Sequence, residues 1–316
     1  MRLFIKQLLL FLLLVIFVFA GINLFQTFYN AEPVQYKNKY ESVINDSQDF
    51  NGIILGTSYA THSMRPTLLD ESGFRFYNYA FNGSNPEFHL KWYNNFIHKN
   101  KIKPKYCLYE VDFFMFDKDW LWRRFEQDAE YFPTSLFVNE LLSDSDFKKM
   151  DVIINRFPFL KYRTHIKQSL LLKEGSQYFN SNNYDRGYIS YSVPFDSKLY
   201  KPNLNYKIDS SQVKYFKLLL KQILDDDIKI IFVMTPQYGI SEDKYYQMES
   251  LKIIDSISKK LNIPILNYKT ELKSGINNNI NYFTDWGHMN HSGAQIFSTE
   301  LAKEIKSLMH NKETIQ

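Results

Sequence analysis

The run "IKIIFVMTP" at residues 228–236 constrains the fold more than any other stretch of this chain. It is β-branched, continuous and without polar alternation, which predicts a strand buried on both faces. Only a sheet covered on both sides accommodates such a strand. Shorter runs of the same kind occur at "NGIILG" (51–56), "FRFYNYAF" (74–81), "KYCLYEVD" (105–112) and "IPILNY" (263–268). Helical patterns fall between them. Pro86, with Ser84 or Asn85 as cap, opens one that reaches about His98. Others cover 210–224, 243–261 and Ser292 to Met309. This alternation predicts an α/β fold with a parallel sheet between two helical layers.

The rhythm breaks over 113–205, which reads as an insertion after the third strand, packing over the carboxyl ends of the sheet. Ligands bind open α/β sheets at those ends, so an insertion there shapes access. Its cluster Trp120, Trp122, Arg123 and Arg124 reads either as a substrate-binding surface or as an ordinary packing patch. The α/β domain is then 49–112 plus 206–316. At 316 residues, 45% of them hydrophobic, the chain is long enough for one such core.

Residues 1–30 carry a different signal. Arg2 and Lys6 precede a long apolar run with no further charge until Glu32, enough to cross a bilayer as a helix. The leading basic residues predict the amino terminus inside and the rest of the chain outside the cytoplasm. The competing reading is a cleaved signal peptide ending near Val18-Phe19-Ala20, giving a secreted or periplasmic protein. The apolar run continues past that point, which favours an anchor, with 31–48 as linker. A net charge of +4, from 38 basic and 34 acidic residues, is too balanced to indicate nucleic acid. The single cysteine, Cys107, excludes an intramolecular disulfide and reads as a buried thiol in a strand.

Three stretches carry candidate chemistry. In "IILGTSYATHSMRP" (53–66), Ser58 falls just beyond a strand ending at Gly56, which places it at the carboxyl edge of the sheet. It suits a nucleophile, which needs an adjacent base, and equally a turn cap. A second Gly-x-Ser, Gly239 to Ser241, opens a helical pattern and reads as a cap. In "YNYAFNGSNP" (77–86), Asn82 and Gly83 follow the second strand. They suit an oxyanion site or a plain Asn-Gly turn. In "FTDWGHMNHSGA" (283–294), Asp285 lies three before His288, the only Asp-x-x-His in the chain. An Asp so placed can hold the imidazole in one tautomer, leaving its other nitrogen for a serine. Asp285, His288 and His291 also have a spacing compatible with metal ligands, but no fourth ligand presents itself, and Gly287 interrupts a helical face. His291 reads as a surface residue at a helix start, and no metal or cofactor is expected.

Together, "ILGTSYATHSMRP", "YNYAFNGSNP" and "DWGHMNHSGA" resemble, in order and placement, three sequence blocks of the SGNH (GDSL-like) hydrolase superfamily. The resemblance covers roughly 50–112 and 228–309. Its combination with an apolar amino terminus resembles the membrane-anchored SGNH-like proteins of bacterial cell envelopes, related to alginate acetylation proteins and DltD-type teichoic acid factors. It implies a flavodoxin-like three-layer fold, Ser58 as nucleophile, His288 as general base and Asp285 as orienting acid. It also implies backbone N–H groups of Ser58 and Gly83 as oxyanion donors, with Asn82 adjoining. The implied activity is acyl-ester hydrolysis or O-acyl transfer on envelope polysaccharide, with a membrane acyltransferase as partner. The alternative is a non-catalytic envelope protein of the same fold that binds glycan or that partner. One departure stands out. The superfamily's Gly-x-Asn-Asp block after the third strand is replaced here by "YEVDFFMF" (109–116), with Asp112 near the place of the oxyanion-binding Asn.

Overall fold

The computed structural model describes residues 2–28, 39, 50–98, 104–117, 184–191, 194–198, 206–239, 248–269 and 275–313. Two compact units divide the chain, one made of Met1–Lys37 with Asp128–Gly175, the other of Asn38–Gln127 with Ser176–Gln316. In the first, the described element is helix α1 (Arg2–Phe28). Its segment Leu3–Gly21 has a mean hydropathy of 2.8 and buries none of its length within the structure, so it is long and apolar enough to cross a membrane.

The second unit holds every other described element. Its α-helices and strands, in chain order, begin with β1 (Gly52–Leu55), α2 (Ser58–Ser63), α3 (Pro66–Leu69), β2 (Phe76–Asn78), α4 (Pro86–Trp92) and β3 (Tyr106–Glu110). They continue with β4 (Tyr184–Asp185), β5 (Tyr188–Ile189), α5 (Ser210–Asp225), β6 (Lys229–Met234), α6 (Glu249–Leu261), β7 (Ile265–Asn267) and α7 (His291–Glu313). The main sheet has five strands in the order β2-β1-β3-β6-β7, all parallel. Each apolar run of the sequence supplies one strand. This is the doubly wound α/β arrangement, and its connectivity reverses beside β1, between β1 and β3.

Alternate residues of the central strands serve opposite helical layers, as a two-residue repeat requires. Ile54, Leu108, Ile231 and Val233 join one cluster with Phe297, Leu301 and Ile305 of α7. On the other side Tyr109 and Phe232 meet Phe216 of α5, with ring centroids 5.5 and 5.6 Å away. Burying a side chain of this size contributes about 1.5–3 kcal/mol, so α7 and α5 are fastened mainly by these contacts. Asn85 caps α4 by accepting from Phe88 N–H at 2.9 Å, and a π-helical turn extends that helix to His98.

Residues 113–117, 184–191 and 194–198, within the stretch that the sequence assigns to an insertion, lie in the sheet unit. The antiparallel pair β4–β5 is strapped to it by charge. Asp185 accepts from Arg65 at 3.3 Å and from the Thr67 backbone at 3.1 Å, and Arg186 donates to the Phe76 carbonyl at 3.1 Å. Trp120, Trp122, Arg123 and Arg124 lie outside the described residues, as does Ser241.

Candidate active site

The first turn of the site is built by a glycine and a carboxylate. Gly56 leaves β1 with φ +150°, and a Cβ at that position would lie 2.6 Å from Glu110 Cβ and 2.7 Å from Glu110 Oε2. Only glycine lets β1 end this close to β3. The next residue, Thr57, donates its backbone N–H (2.7 Å) and its hydroxyl (2.9 Å) to Glu110 Oε2. Thr57 also caps α2, accepting at Oγ1 from Tyr59 N–H. Its carbonyl takes Thr61 N–H at 3.0 Å and Thr61 Oγ1 at 3.1 Å. Ser58 is thereby the first residue of α2, held at the carboxyl edge of the sheet.

The second turn follows β2. Phe81 N–H donates to the Gly56 carbonyl at 3.0 Å, and Ser84 N–H to the Phe81 carbonyl at 3.2 Å. Asn82 and Gly83 occupy the tip of that β-turn. Gly83 has φ +69°, the left-handed conformation such a turn demands and glycine adopts without strain. Among the described residues nothing accepts from the N–H groups of Ser58 or Gly83, and the Asn82 amide oxygen is buried without a hydrogen bond.

The third segment precedes α7. Phe283 and Met289 form an isolated antiparallel bridge, and Thr284 N–H donates to the His288 carbonyl at 2.9 Å, which closes the loop carrying Asp285. Asp285 Oδ1 accepts from the backbone N–H groups of Gly287 and His288, both at 2.8 Å. The same carboxylate lies 2.9 and 3.0 Å from His288 Nδ1. A carboxylate accepts only, so Nδ1 carries the proton and Nε2 presents a lone pair. That Nε2 lies 2.7 Å from Ser58 Oγ. Ser58, Asp285 and His288 are 5–6% exposed, which shields the relay from water yet leaves it reachable. Tyr59, Tyr191 and His62 pack edge-on against the His288 ring at 5.0, 5.8 and 5.8 Å.

The remaining residues of that stretch build the helix start. Asn290 Oδ1 accepts from Gly293 N–H at 3.1 Å, capping α7. A Cβ on Gly293 would lie 2.2 Å from the Tyr282 carbonyl oxygen, so that position is glycine for close approach. His291 is turned to the β4–β5 hairpin, with Nδ1 3.1 Å from Ser190 Oγ and its N–H on the Tyr191 carbonyl. His288 bonds Asp285 itself through Nδ1 and Ser58 through Nε2, while His291 faces Ser190. Asp285, His288 and His291 therefore do not converge on a common ligand position.

The replaced block after β3 has a clear arrangement. Asp112 is not a bare charge facing an oxyanion. It is buried and ion-paired with Lys269 Nζ, and it accepts from Gln237 Nε2 at 2.7 Å and Phe113 N–H at 2.6 Å. Burial pushes the Asp112 carboxyl up and the Lys269 ammonium down, while their mutual attraction opposes both shifts. Losing one partner of such a pair would leave the other charge buried and unpaired. Burial, and secondarily the charge of Asp112, pushes the Glu110 carboxyl up to about 7. Reading the sequence alone misses Glu110. Its signal is an acidic residue within a strand that is otherwise apolar up to its end, where an unpaired charge is costly.

No family model and no curated protein matches the sequence. Among solved structures, the chain is similar to a GDSL-like lipase from Bacteroides thetaiotaomicron, at 12% identity and a TM-score of 0.41 over 86% of this chain and 98% of that one. It is likewise similar to a catalytic mutant of an acetylxylan esterase from Geobacillus stearothermophilus, at 11% identity and a TM-score of 0.41 over 82% and 94%. Likeness at that level assigns no chemistry. What the site can do follows from its own atoms: a serine hydroxyl on an imidazole lone pair, a carboxylate behind the imidazole, and two backbone donors without an acceptor among the described residues.

Proposed function

We propose that this chain is a serine-dependent acyl-ester hydrolase or O-acyltransferase acting on cell-envelope polysaccharide, through an acyl-Ser58 intermediate. The observation that carries the reading is the relay Ser58–His288–Asp285, with 2.7 Å at the serine and 2.9 Å at the carboxylate. His288 Nε2 takes the Ser58 proton as Oγ bonds to the ester carbonyl carbon, and Asp285 steadies the resulting imidazolium. The N–H groups of Ser58 and Gly83 receive the tetrahedral oxyanion, with the Asn82 side chain adjoining. The C–O bond to the leaving alcohol then breaks and His288 returns the proton to it. Water, or a sugar hydroxyl, next loses its proton to His288 and attacks the acyl carbon; the bond from that carbon to Ser58 Oγ breaks, and His288 returns the proton to Oγ. Water makes the enzyme an esterase, a sugar hydroxyl an O-acyltransferase.

The apolar helix Leu3–Gly21 supports a membrane-anchored protein with this site outside the cytoplasm. The resemblance of the three blocks to envelope SGNH proteins supports acylated glycan as substrate and a membrane acyltransferase as donor partner. The test is a panel of O-acylated glycans, with free carboxylic acid and acyl transfer to added glycan followed together. The proposal expects Ser58-dependent release or transfer of the acyl group. Glycan binding without turnover, equal in the parent chain and Ser58→Ala, would make the chain a binding protein instead.

A further inference from the structure

The Ser58 N–H belongs to the peptide that joins Thr57 to Ser58, so whatever fixes Thr57 also aims the oxyanion donor. Three polar groups of Thr57 are anchored. Thr61 holds its carbonyl from within α2, while the N–H and hydroxyl both end on one oxygen, Glu110 Oε2. Glu110 reaches them from the next strand and is 1% exposed. Its other oxygen, Oε1, has no hydrogen-bond partner among the described residues. The carboxylate thus spends its accepting capacity on Thr57 alone. The glycine at 56 is what allows this approach, since its Cβ would collide with the same carboxylate.

We propose that Glu110 is a positioning residue for the nucleophile, holding Thr57 so that the Ser58 hydroxyl and N–H face the reacting carbonyl together. This rests on the reading of Ser58 as nucleophile. Glu110 acts through Thr57 and does not touch the substrate. An ionised Glu110 makes two charge-assisted bonds; a neutral one, protonated at Oε1, still accepts at Oε2 but more weakly. Burial is the largest influence on its charge and, with Asp112 on the same chain segment beyond β3, favours the neutral form, while the Thr57 donors and Lys269 beyond β7 favour the ionised one. With its carboxyl raised to about 7, Glu110 changes charge within the neutral range. The turn is held most tightly above that pH.

The rate of Ser58 phosphonylation by a fluorophosphonate probe tests this in the full chain, across pH 5 to 9. Glu110→Gln keeps an acceptor oxygen on Thr57, so it should label within roughly threefold of the parent at a given pH and lack the parent's ionisation near pH 7. Glu110→Ala removes the acceptor and should slow labelling roughly 10- to 100-fold. Should Glu110→Ala fail to fold, Thr57→Val, which loses the hydroxyl bond to Glu110 together with the cap on Tyr59 N–H, should slow labelling roughly fivefold. The proposal is overturned if a folded Glu110→Ala labels within twofold of the parent, if Glu110→Gln falls as far as Glu110→Ala, or if the Thr57→Val rate is unchanged. A parent chain that does not label at all overturns the nucleophile itself, and this role with it. That outcome is distinct from a parent that labels while its Glu110 variants match it.

Discussion

Two serine–histidine pairs in this protein have the same separation and opposite chemistry. Ser58 Oγ and Ser84 Oγ each lie 2.7 Å from a histidine Nε2, of His288 and His89 respectively. The difference lies behind the ring. His288 Nδ1 faces a carboxylate and must carry the proton, so Nε2 is a base. His89 Nδ1 faces the Tyr109 hydroxyl at 2.8 Å, while Nε2 lies 3.0 Å from the Gly56 carbonyl. A carbonyl has no proton to give, so His89 Nε2 is the donor and has no lone pair for Ser84. The single Ser84 hydroxyl proton in turn faces the carbonyls of Phe81 (2.7 Å) and Gly56 (2.9 Å). Burial drives the His89 pKa down to about 3, so it stays neutral. One pair is poised to move a proton; the other rivets the two turns that present Ser58 and Gly83. A short serine–histidine distance does not by itself mark a nucleophile.

Substitutions at the two pairs should differ in kind and in size. The largest effect is Ser58→Ala, which should lower ester turnover at least ~10³-fold, measured on whichever acylated glycan proves to be a substrate. Next is Asp285→Asn, which keeps the shape but lets Nδ1 accept instead of donate. Turnover should fall by roughly 10²–10⁴-fold at an unchanged unfolding midpoint. Its counterpart, Tyr109→Phe, strips the donor from His89 Nδ1 and strands a buried acceptor. It should cost about 1–3 kcal/mol in urea unfolding while the acylation rate stays within severalfold. Ser84→Ala should cost about 1 kcal/mol and leave the chemistry intact.

The smallest effect at neutral pH is electrostatic. An unfolded chain takes up a proton at His89 below its ordinary value of 6.5, whereas the folded chain resists down to about 3. The His89 contribution is therefore absent above pH 6.5, and stability is lost as pH falls through that window. Glu110 works in the other direction. Its raised carboxyl keeps a proton that the unfolded chain has released, so stability falls as pH rises from its ordinary 4.5 to about 7. Comparing the parent with His89→Gln from pH 7 to pH 4 isolates the first slope, which should flatten in the variant.

The strands were legible because parallel strands are apolar on both faces, and "IKIIFVMTP" could be little else. The pairing of Ser58 with His288 across 230 positions was legible because both fall beside sheet or helix ends that the fold brings to one edge. Asn290 and Gly293 were not, since a cap and a close approach to Tyr282 look like any polar helix start. Glu110 and Asp112 were hidden for a different reason. Their roles depend on Thr57 and Lys269, whose positions against β3 are set by packing and not by local spacing. The hairpin Tyr184–Ile189 sits within a stretch of weak periodicity, where two-residue strands leave no pattern to read.

A fluorophosphonate adduct on the full chain, located by peptide mass spectrometry, identifies the nucleophile directly. The adduct should sit on Ser58, vanish in Ser58→Ala and persist in Ser84→Ala. An adduct that survives Ser58→Ala, or a parent chain that forms none, would contradict Ser58 as the nucleophile.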